Sequence, residues 1–209
     1  MADLWGVLLA AGASHRFGAD KRLHPLAGGV AMAVRAARTL LHAVPHSVAV
    51  VRAADREVAD LLAAEGIGIV VNPRPDDGMG ASLACGVRAA ARATGWVIAL
   101  ADMPFIQAAT VAAVARAVGQ SDVLAAPVFA GHRGHPVAFG RAYFADLIAL
   151  TGDTGAREVL ERHLERLTLI PVDDPGIHRD IDCPADLATR GTIPRRVAMG
   201  RMTSDWVAP

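Results

Sequence analysis

The feature that most constrains the fold is a regular alternation, across the first half of the chain, of short apolar runs with longer amphipathic segments. The apolar runs are predicted to be strands at residues 4–10, 46–52, 67–71 and 96–101. Between the first two runs, Val30, Val34, Ala37 and Leu41 recur at helical spacing. Strands that alternate with helices form a parallel sheet covered by helices on both faces. We therefore predict an α/β fold with a Rossmann-like, mostly parallel sheet.

The remaining elements follow from capping residues, glycines and further apolar runs. Asp55 is placed to cap a second helix and Gly66 to end it. The other predicted elements are a loop at 72–80, a helix at 81–95, a strand at 122–129, a tight loop that runs into a strand within 131–140, a helix within 152–167, a strand at 167–172, and a short strand with a capped helix within 177–191. We expect one domain over residues 1–190, with residues 191–209 as a tail or arm.

Composition excludes several classes of function. The chain has 21 basic and 21 acidic residues, whereas nucleic-acid binding requires a clustered positive excess. No apolar run reaches the roughly 18 residues that a membrane span needs. The start resembles a signal peptide, but Asp3 occupies the region that should be basic. Cys85 and Cys183 match no metal-binding spacing. We therefore expect a cytoplasmic protein with reduced thiols and no nucleic-acid or membrane partner.

The loop after the first predicted strand, AAGASHRFGADK, carries the first functional signal. In parallel sheets, ligands bind at the carboxyl ends of the strands. Gly12 and Gly18 let the backbone approach a ligand closely, Ser14 adds a neutral donor, and Arg16 and Lys21 add positive charge. The loop lacks both the GK[ST] ending of a Walker A motif and the spacing of GxGxxG. It is suited either to a triphosphate or to an ordinary strand-to-helix turn.

The second signal is ALADMP, which ends the fourth predicted strand. Asp102 lies at the ligand edge of the sheet, where a carboxylate can hold Mg²⁺ against phosphate oxygens. The alternative is that Asp102 caps a helix beginning near Pro104.

Together, the two signals and four further segments resemble the MobA-like nucleotidyltransferases, and within them the molybdenum cofactor cytidylyltransferases. In chain order the matching segments are LAAGASHRFGADKRL, NPRPDDGMGASLACGV, ALADMPFI, GHRGHPVAFG, GDTGAR and DIDCPADL. The form LAAG, rather than LAGG, resembles the cytidylyl branch more than the guanylyl branch. The resemblance implies a sheet of the nucleotide-diphospho-sugar transferase type.

The resemblance also implies roles for individual residues. Asp182 would be a second metal ligand beside Asp102, or alternatively a helix cap; Ser82 would contact the base, or alternatively be an N-cap. His132 and His135 are spaced as a metal pair would be, but no third ligand follows. The full set comprises Ala10, Ala11, Gly12 and Ser14 for the triphosphate, Arg16 and Lys21 for its charge, Asp102 and Asp182 for Mg²⁺, Gly80 and Ser82 for the base, and Arg133 and His135 for the second substrate.

The implied reaction is transfer of CMP from CTP to the terminal phosphate of the molybdenum-pterin cofactor, with Mg²⁺ as the metal and release of pyrophosphate. Because such an acceptor phosphate is already a nucleophile, no catalytic triad is needed. Three alternatives remain open: CTP or GTP with another phosphorylated small molecule, an NAD(P)H-dependent reductase on a related fold, and a chaperone that holds the pterin for a molybdoenzyme.

Overall fold

The computed structural model describes residues 3–12 and 17–188 of the 209-residue chain. Ser14, Arg16 and the expected tail at 191–209 lie outside the described residues. No helix in the described part is both long enough and apolar enough to cross a membrane.

One mixed sheet forms the centre of the molecule. Its strands in the described residues are β1 (Leu4–Leu9), β2 (Ser47–Arg52), β3 (Gly68–Asn72), β4 (Gly95–Leu100), β5 (Leu124–Phe129), β6 (His132–Arg133), β7 (Val137–Gly140) and β8 (Leu167–Pro171). Their order is β3-β2-β1-β4-β7-β5, and β5 also pairs with β6 and β8. Strands β1 to β4 pair in parallel, as do β5 and β8, whereas β7 runs antiparallel between β4 and β5. The predicted mostly parallel sheet is confirmed.

Helices cover both faces of this sheet, as the alternation predicted. They are α1 (Met32–Ala43), α2 (Arg56–Ala64), α3 (Gly78–Ala89), α4 (Ala108–Ala117), α5 (Phe144–Ile148), α6 (Arg157–Arg162) and α7 (Ala185–Ala188). Leu8 packs in one core cluster with α1, α2 and α4, while its neighbour Val7 packs in a second with α3, α5 and α6. Successive strand side chains point to opposite faces, so β1 is apolar throughout because both of its faces are buried.

Several element boundaries differ from the sequence expectations. Helix α3 begins at Gly78, inside the segment expected to be loop. Gly66 ends α2 with a φ of 85°, as expected, but the Asp55 carboxylate makes no cap hydrogen bond. It instead accepts the backbone N–H of Arg52 at 3.1 Å and pairs with Arg22. The buried Arg22 thus binds the Asp55 carboxylate, which the local sequence had predicted to cap α2.

The short strand expected just before the last helix does not form. A 3-10 turn occupies Pro175–His178, and the Asp174 carboxylate accepts the Gly176 N–H at 2.9 Å within it. The backbone that follows bonds to loops instead of to a strand, with the Ile181 N–H donating to the Asp102 carbonyl at 2.9 Å. The expected helix follows as α7.

Gly86 sets the distance between α3 and the sheet, and this gives a stability prediction. A β-carbon at Gly86 would lie 2.5 Å from a methyl of Val7 and 2.8 Å from one of Val50. Because both valines are branched at the β-carbon and buried, they cannot rotate away. We expect Gly86→Ala to lower the free energy of unfolding by about 1–3 kcal/mol.

Chemical denaturation measures this effect, and Gly119→Ala is its control. A β-carbon at Gly119 would meet nothing within 4 Å, so that variant should change stability by less than about 0.5 kcal/mol. Equal stability of the two variants would contradict the packing described for α3.

Candidate active site

A cavity opens where the chain changes direction across the sheet. From β1 the chain proceeds outward through β2 and β3, and then returns to place β4 on the other side of β1. Crevices of this kind, at the carboxyl ends of neighbouring parallel strands, are where α/β sheets bind ligands. The cavity has a volume of about 670 Å³. Its lining includes Leu9, Ala10, Ala11, Gly12, Lys21, Arg22, Arg52, Met79, Ser82, Leu100, Ala101, Asp102, Asp153 and Asp182.

Lys21 joins two carboxylates that are far apart in the sequence. Its Nζ lies 2.8 Å from Oδ2 of Asp102 and 3.4 Å from Oδ1 of Asp182, and it donates to the Ile181 carbonyl at 2.8 Å. Lys21 is the only lysine of the chain and is 8% exposed. The structure thus brings together a buried ammonium group and the two aspartates that were expected to hold a metal.

The capping alternative for Asp102 is wrong. Helix α4 begins at Ala108, well beyond the expected start near Pro104. The carboxylate near its first turn belongs to Asp174, which accepts the Gln107 N–H at 2.8 Å and the Thr110 hydroxyl at 2.7 Å. A buried residue distant in sequence therefore supplies the cap, and Asp102 faces Lys21 in the cavity.

Asp180 is a third acidic residue at this site, and the sequence analysis missed it. Burial raises its pKa, and the negative charges of Asp182 and Asp102 raise it further, whereas Lys21 lowers it. The signal was present in the DID segment, because alternate residues of an extended backbone share a side. The charges of Asp102, Asp182 and Lys21 therefore all act on the Asp180 carboxyl group, whereas the ammonium group contacts the carboxylates of Asp102 and Asp182.

The donor set fits a divalent cation. Carboxylate oxygens of Asp102 and Asp182 converge on the single point that the Lys21 Nζ occupies. Hard ions such as Mg²⁺ prefer such oxygens and commonly bind through only one or two carboxylates together with phosphate and water. Within residues 3–12 and 17–188, no group of three metal-ligating side chains is preassembled. These residues therefore suit an ion that arrives with a phosphorylated ligand.

The loop after β1 places three of the expected triphosphate residues on the cavity wall. Ala10, Ala11 and Gly12 all line the cavity. The Ala10 carbonyl accepts from Arg22, and the Ala11 carbonyl accepts from Nε of Arg52 at 2.8 Å. Both arginines were missed: the family pattern leaves the position of Arg22 unspecified, and Arg52 lies outside the matched segments, so each resembles a surface charge in the sequence.

The expected base-contacting residues lie near the start of α3. Ser82 is within the helix, so the N-cap alternative is wrong; its hydroxyl accepts from Nδ2 of Asn72 at 3.0 Å and it lines the cavity. Gly80 packs against a neighbouring loop, donating its N–H to the Gly152 carbonyl at 2.8 Å. A β-carbon there would lie 2.7 Å from the Thr151 carbonyl oxygen, so close approach explains the glycine.

The GHRGHP segment forms β6 and the turn into β7. Arg133 is exposed on β6, and the half-buried His135 donates its backbone N–H to the Ile177 carbonyl at 3.1 Å. Nδ1 of His135 is buried and has no hydrogen-bond partner among the described residues. His132 instead lies beside His178, with ring centroids 6.3 Å apart, and no three-ligand zinc group is formed in the described part of the chain.

His135 gives a pH prediction. Burial lowers its pKa to about 4, the charge of Asp102 opposing this effect and that of Arg133 adding to it. Because an unfolded histidine titrates near 6.5, the unfolded chain binds the extra proton between pH 6.5 and 4. Above pH 6.5 the low pKa of His135 therefore costs the folded state no stability. As the pH falls from 6.5 to 4, the free energy of unfolding decreases.

Unfolding free energies of the wild type and His135→Asn at pH 7 and pH 4.5 measure this contribution. Relative to the variant, the wild type should lose about 2 kcal/mol between the two pH values. A constant difference would contradict the low pKa of His135, and carboxylate titrations cancel because both proteins contain them.

With this geometry in hand, comparison with known proteins identifies the family. A family model described as the MobA-like NTP transferase domain matches residues 6–167. The chain belongs to the MobA-like NTP transferase family. The cavity, its lysine and its aspartates are therefore those of a MobA-like nucleotidyltransferase.

Individual relatives of this MobA-like chain have diverse names. It is 33% identical over 187 residues to nicotine blue oxidoreductase of Paenarthrobacter nicotinovorans, covering 85% of this chain and 91% of the relative. It is 31% identical over 199 residues to the purine catabolism protein PucB of Bacillus subtilis (strain 168), covering 88% and 93%.

Among solved structures, Rv0371c of Mycobacterium tuberculosis H37Rv superposes with a TM-score of 0.77 at 27% identity, covering 90% of this chain and 96% of that one. A manganese complex of Rv0371c superposes with a TM-score of 0.73 at 26% identity, covering 89% and 96%.

Proposed function

We propose that this protein transfers CMP from CTP to the terminal phosphate of the molybdenum-pterin cofactor and releases pyrophosphate, with Mg²⁺ held by Asp102 and Asp182. The observation that carries the proposal is the contact of the Lys21 ammonium group with both aspartates, at 2.8 and 3.4 Å, on the wall of the cavity. An ammonium group beside a cation-binding carboxylate pair suits a polyanion and its metal. That a structure of Rv0371c is a complex with manganese supports the use of a divalent metal ion.

In the proposed reaction, an acceptor phosphate oxygen forms a bond to the α-phosphorus of CTP, and the bond from that phosphorus to the β-phosphate oxygen breaks. The acceptor oxygen is already anionic, so no side chain has to remove a proton. Lys21 offsets the charge that develops on the α-phosphate and on departing pyrophosphate, and we assign Arg16 the same task. The divalent ion, when bound, neutralises charge on phosphate oxygens.

The other residues bind and orient the two substrates, which supplies much of the catalysis in phosphoryl transfer. We assign the triphosphate to Ala10, Ala11, Gly12 and Ser14, the base to Gly80 and Ser82, and the acceptor to Arg133 and His135. The position of Ser82 on the cavity wall and the buried, unpartnered Nδ1 of His135 within the described part of the chain support these assignments.

Calorimetric titration with CTP and with GTP, each with Mg²⁺, tests the nucleotide, and release of pyrophosphate in the presence of the molybdenum-pterin cofactor tests the reaction. CTP is expected to bind at least about 10-fold more tightly than GTP. A clear preference for GTP would overturn the cytidylyl assignment, and tight binding without pyrophosphate release would favour a carrier of the pterin over an enzyme.

The single lysine allows a direct test of the site. In protein with isotope-labelled lysine, the one side-chain ammonium resonance reports Lys21 alone. It should shift when CTP and Mg²⁺ are added together, since the ammonium group then exchanges carboxylate contacts for phosphate contacts. An unchanged resonance under saturating nucleotide would remove Lys21 from the proposed mechanism.

A second candidate is reduction of a small-molecule dye by NADH or NADPH. It is favoured by one observation, the 33% identity to a protein named nicotine blue oxidoreductase. Quenching of nicotinamide fluorescence by the protein, followed by consumption of the reduced nicotinamide with such a dye, would support this candidate. Nucleotide-dependent pyrophosphate release without either signal would exclude it.

A further inference from the structure

We infer that Arg22, held by Asp20 and Asp55, is a positioning residue that orients the backbone at the start of the proposed triphosphate-binding loop, at Ala10 to Gly12. This inference rests on the proposed function in assigning the loop to a triphosphate. The orientation of the loop itself can be tested without any nucleotide.

Arg22 is buried, and its guanidinium group donates to both carboxylate and carbonyl oxygens. Nε and Nη2 contact the two carboxylate oxygens of Asp20 at 2.7 and 2.6 Å, which makes a bidentate pair. Nη1 contacts both the carboxylate of Asp55 and the carbonyl oxygen of Ala10. The side chain is 6% exposed, so solvent contributes little to these interactions. Two carboxylates therefore aim one guanidinium group at a single backbone carbonyl.

Asp55 links this arrangement to the end of β2. The same carboxylate oxygen that contacts Arg22 accepts the backbone N–H of Arg52 at 3.1 Å. The side chain of Arg52 in turn donates from Nε to the Ala11 carbonyl at 2.8 Å. Two successive carbonyls beyond β1, those of Ala10 and Ala11, are thus each held by an arginine.

Holding these carbonyls also sets the direction of the next two N–H groups. In a planar trans peptide, the C=O of one residue and the N–H of the next point in opposite directions. The Ala11 N–H therefore points away from Arg22, and the Gly12 N–H away from the guanidinium group of Arg52. In the described part of the chain neither N–H donates to a backbone carbonyl. Ala11 and Gly12 both line the cavity, so these two N–H donors are available to an anion bound there.

Stability alone does not account for this cluster. Burying an arginine with two aspartates carries a large desolvation cost, and replacing such groups with apolar side chains is often neutral or stabilising. Burial acts to lower the pKa of Arg22, but the hydrogen bonds that Arg22 donates to Asp20 and Asp55 outweigh this effect and keep the group charged. A permanently charged, bidentate group is suited to fixing one backbone geometry.

The test compares Arg22→Met, Arg22→Lys and Asp55→Asn with the control Arg38→Met. Arg38 also makes a bidentate pair, with Glu65 at 2.7 and 2.8 Å, but on the surface and not in the cavity lining. We expect Arg22→Met to weaken CTP–Mg²⁺ binding about 10- to 100-fold and Asp55→Asn to weaken it less. Arg22→Lys should restore part of the affinity, because an ammonium group can replace one of the contacts.

Amide hydrogen exchange without nucleotide is the second readout. The Ala10 N–H donates to the Val50 carbonyl at 2.9 Å, and its exchange should be about 10-fold faster in Arg22→Met than in wild type or Arg38→Met. Should Arg22→Met fail to fold, Arg22→Lys and Asp55→Asn provide the same comparison.

The outcomes separate the two proposals. Unchanged exchange and unchanged CTP affinity in folded Arg22 variants would overturn the positioning role. If wild type bound no nucleoside triphosphate, the proposed function would fail, while exchange at Ala10 would still decide whether Arg22 orients the loop. Equal weakening by Arg38→Met would indicate a general loss of stability and would also overturn the inference.

Discussion

Replacement of Asp102 with asparagine should lower kcat for nucleotidyl transfer by about 10²- to 10³-fold. Asparagine keeps the size of the side chain and removes its charge. Asp102 ends β4, and its carboxylate lies 2.8 Å from the Lys21 ammonium group and beside Asp182 in the proposed metal site. Loss of one of two charged ligands should weaken Mn²⁺ binding about 10- to 100-fold, which calorimetry with Mn²⁺ measures.

Stability should change little in this variant, because the Asp102 side chain is 28% exposed and lies at the edge of the cavity. Asp146→Asn is the matched control. Asp146 is 32% exposed and pairs with Arg162 at 2.8 Å, away from the cavity lining. Pyrophosphate release at saturating substrates and metal should be normal in the control. Activity of Asp102→Asn within about 10-fold of wild type would contradict the catalytic role of this carboxylate.

Replacement of Lys21 with methionine should have two effects of opposite sign. Loss of the ammonium group should lower kcat about 10²- to 10³-fold, since a positive charge near the reacting phosphate is removed. Affinity for Mn²⁺ without nucleotide should instead rise, by about 10-fold. The reason is that the Lys21 Nζ occupies the point where Asp102 and Asp182 converge, so that the ammonium group and a metal ion compete for the same carboxylates.

The two measurements together distinguish this effect from unfolding, which would weaken metal binding. Titration with Mn²⁺ in the absence of nucleotide gives the affinity, and Arg38→Met, which removes a surface cation, should leave it unchanged. Weaker or equal metal binding by Lys21→Met would show that the ammonium group and the metal do not compete for the same carboxylates. It would also contradict the interpretation of the Lys21, Asp102 and Asp182 contacts as a metal site, on which the proposed function depends.

Local patterns were sufficient for the four parallel strands β1 to β4 and for where each of them ends. The apolar sequence of β1 required burial on both faces, and the structure places Val7 and Leu8 in separate cores. Parallel strands present their carboxyl ends at one edge, so Lys21 after β1 and Asp102 after β4 were expected to lie close together. They are in contact because β1 and β4 are neighbours in the sheet.

Capping was less predictable, because a cap is judged from neighbouring residues whereas a carboxylate binds whichever donor the fold brings to it. Asp55 stands at a cap position but serves Arg22 and the Arg52 backbone. Asp174 caps α4 from a position more than sixty residues away in the sequence. Asp102 is adjacent to the expected helix start, yet its carboxylate contacts Lys21 and not the backbone of α4.

The amino-acid sequence by itself determined the α/β architecture and the loops that form the cavity, because strand periodicity and chain direction are local properties. Only the tertiary structure decided which charged groups meet there. The charges of the two expected aspartates raise the pKa of Asp180, and Arg22 is buried with its guanidinium group on the Ala10 carbonyl. Charges separated by long stretches of chain interact only once packing has excluded water between them, and no local pattern records that distance.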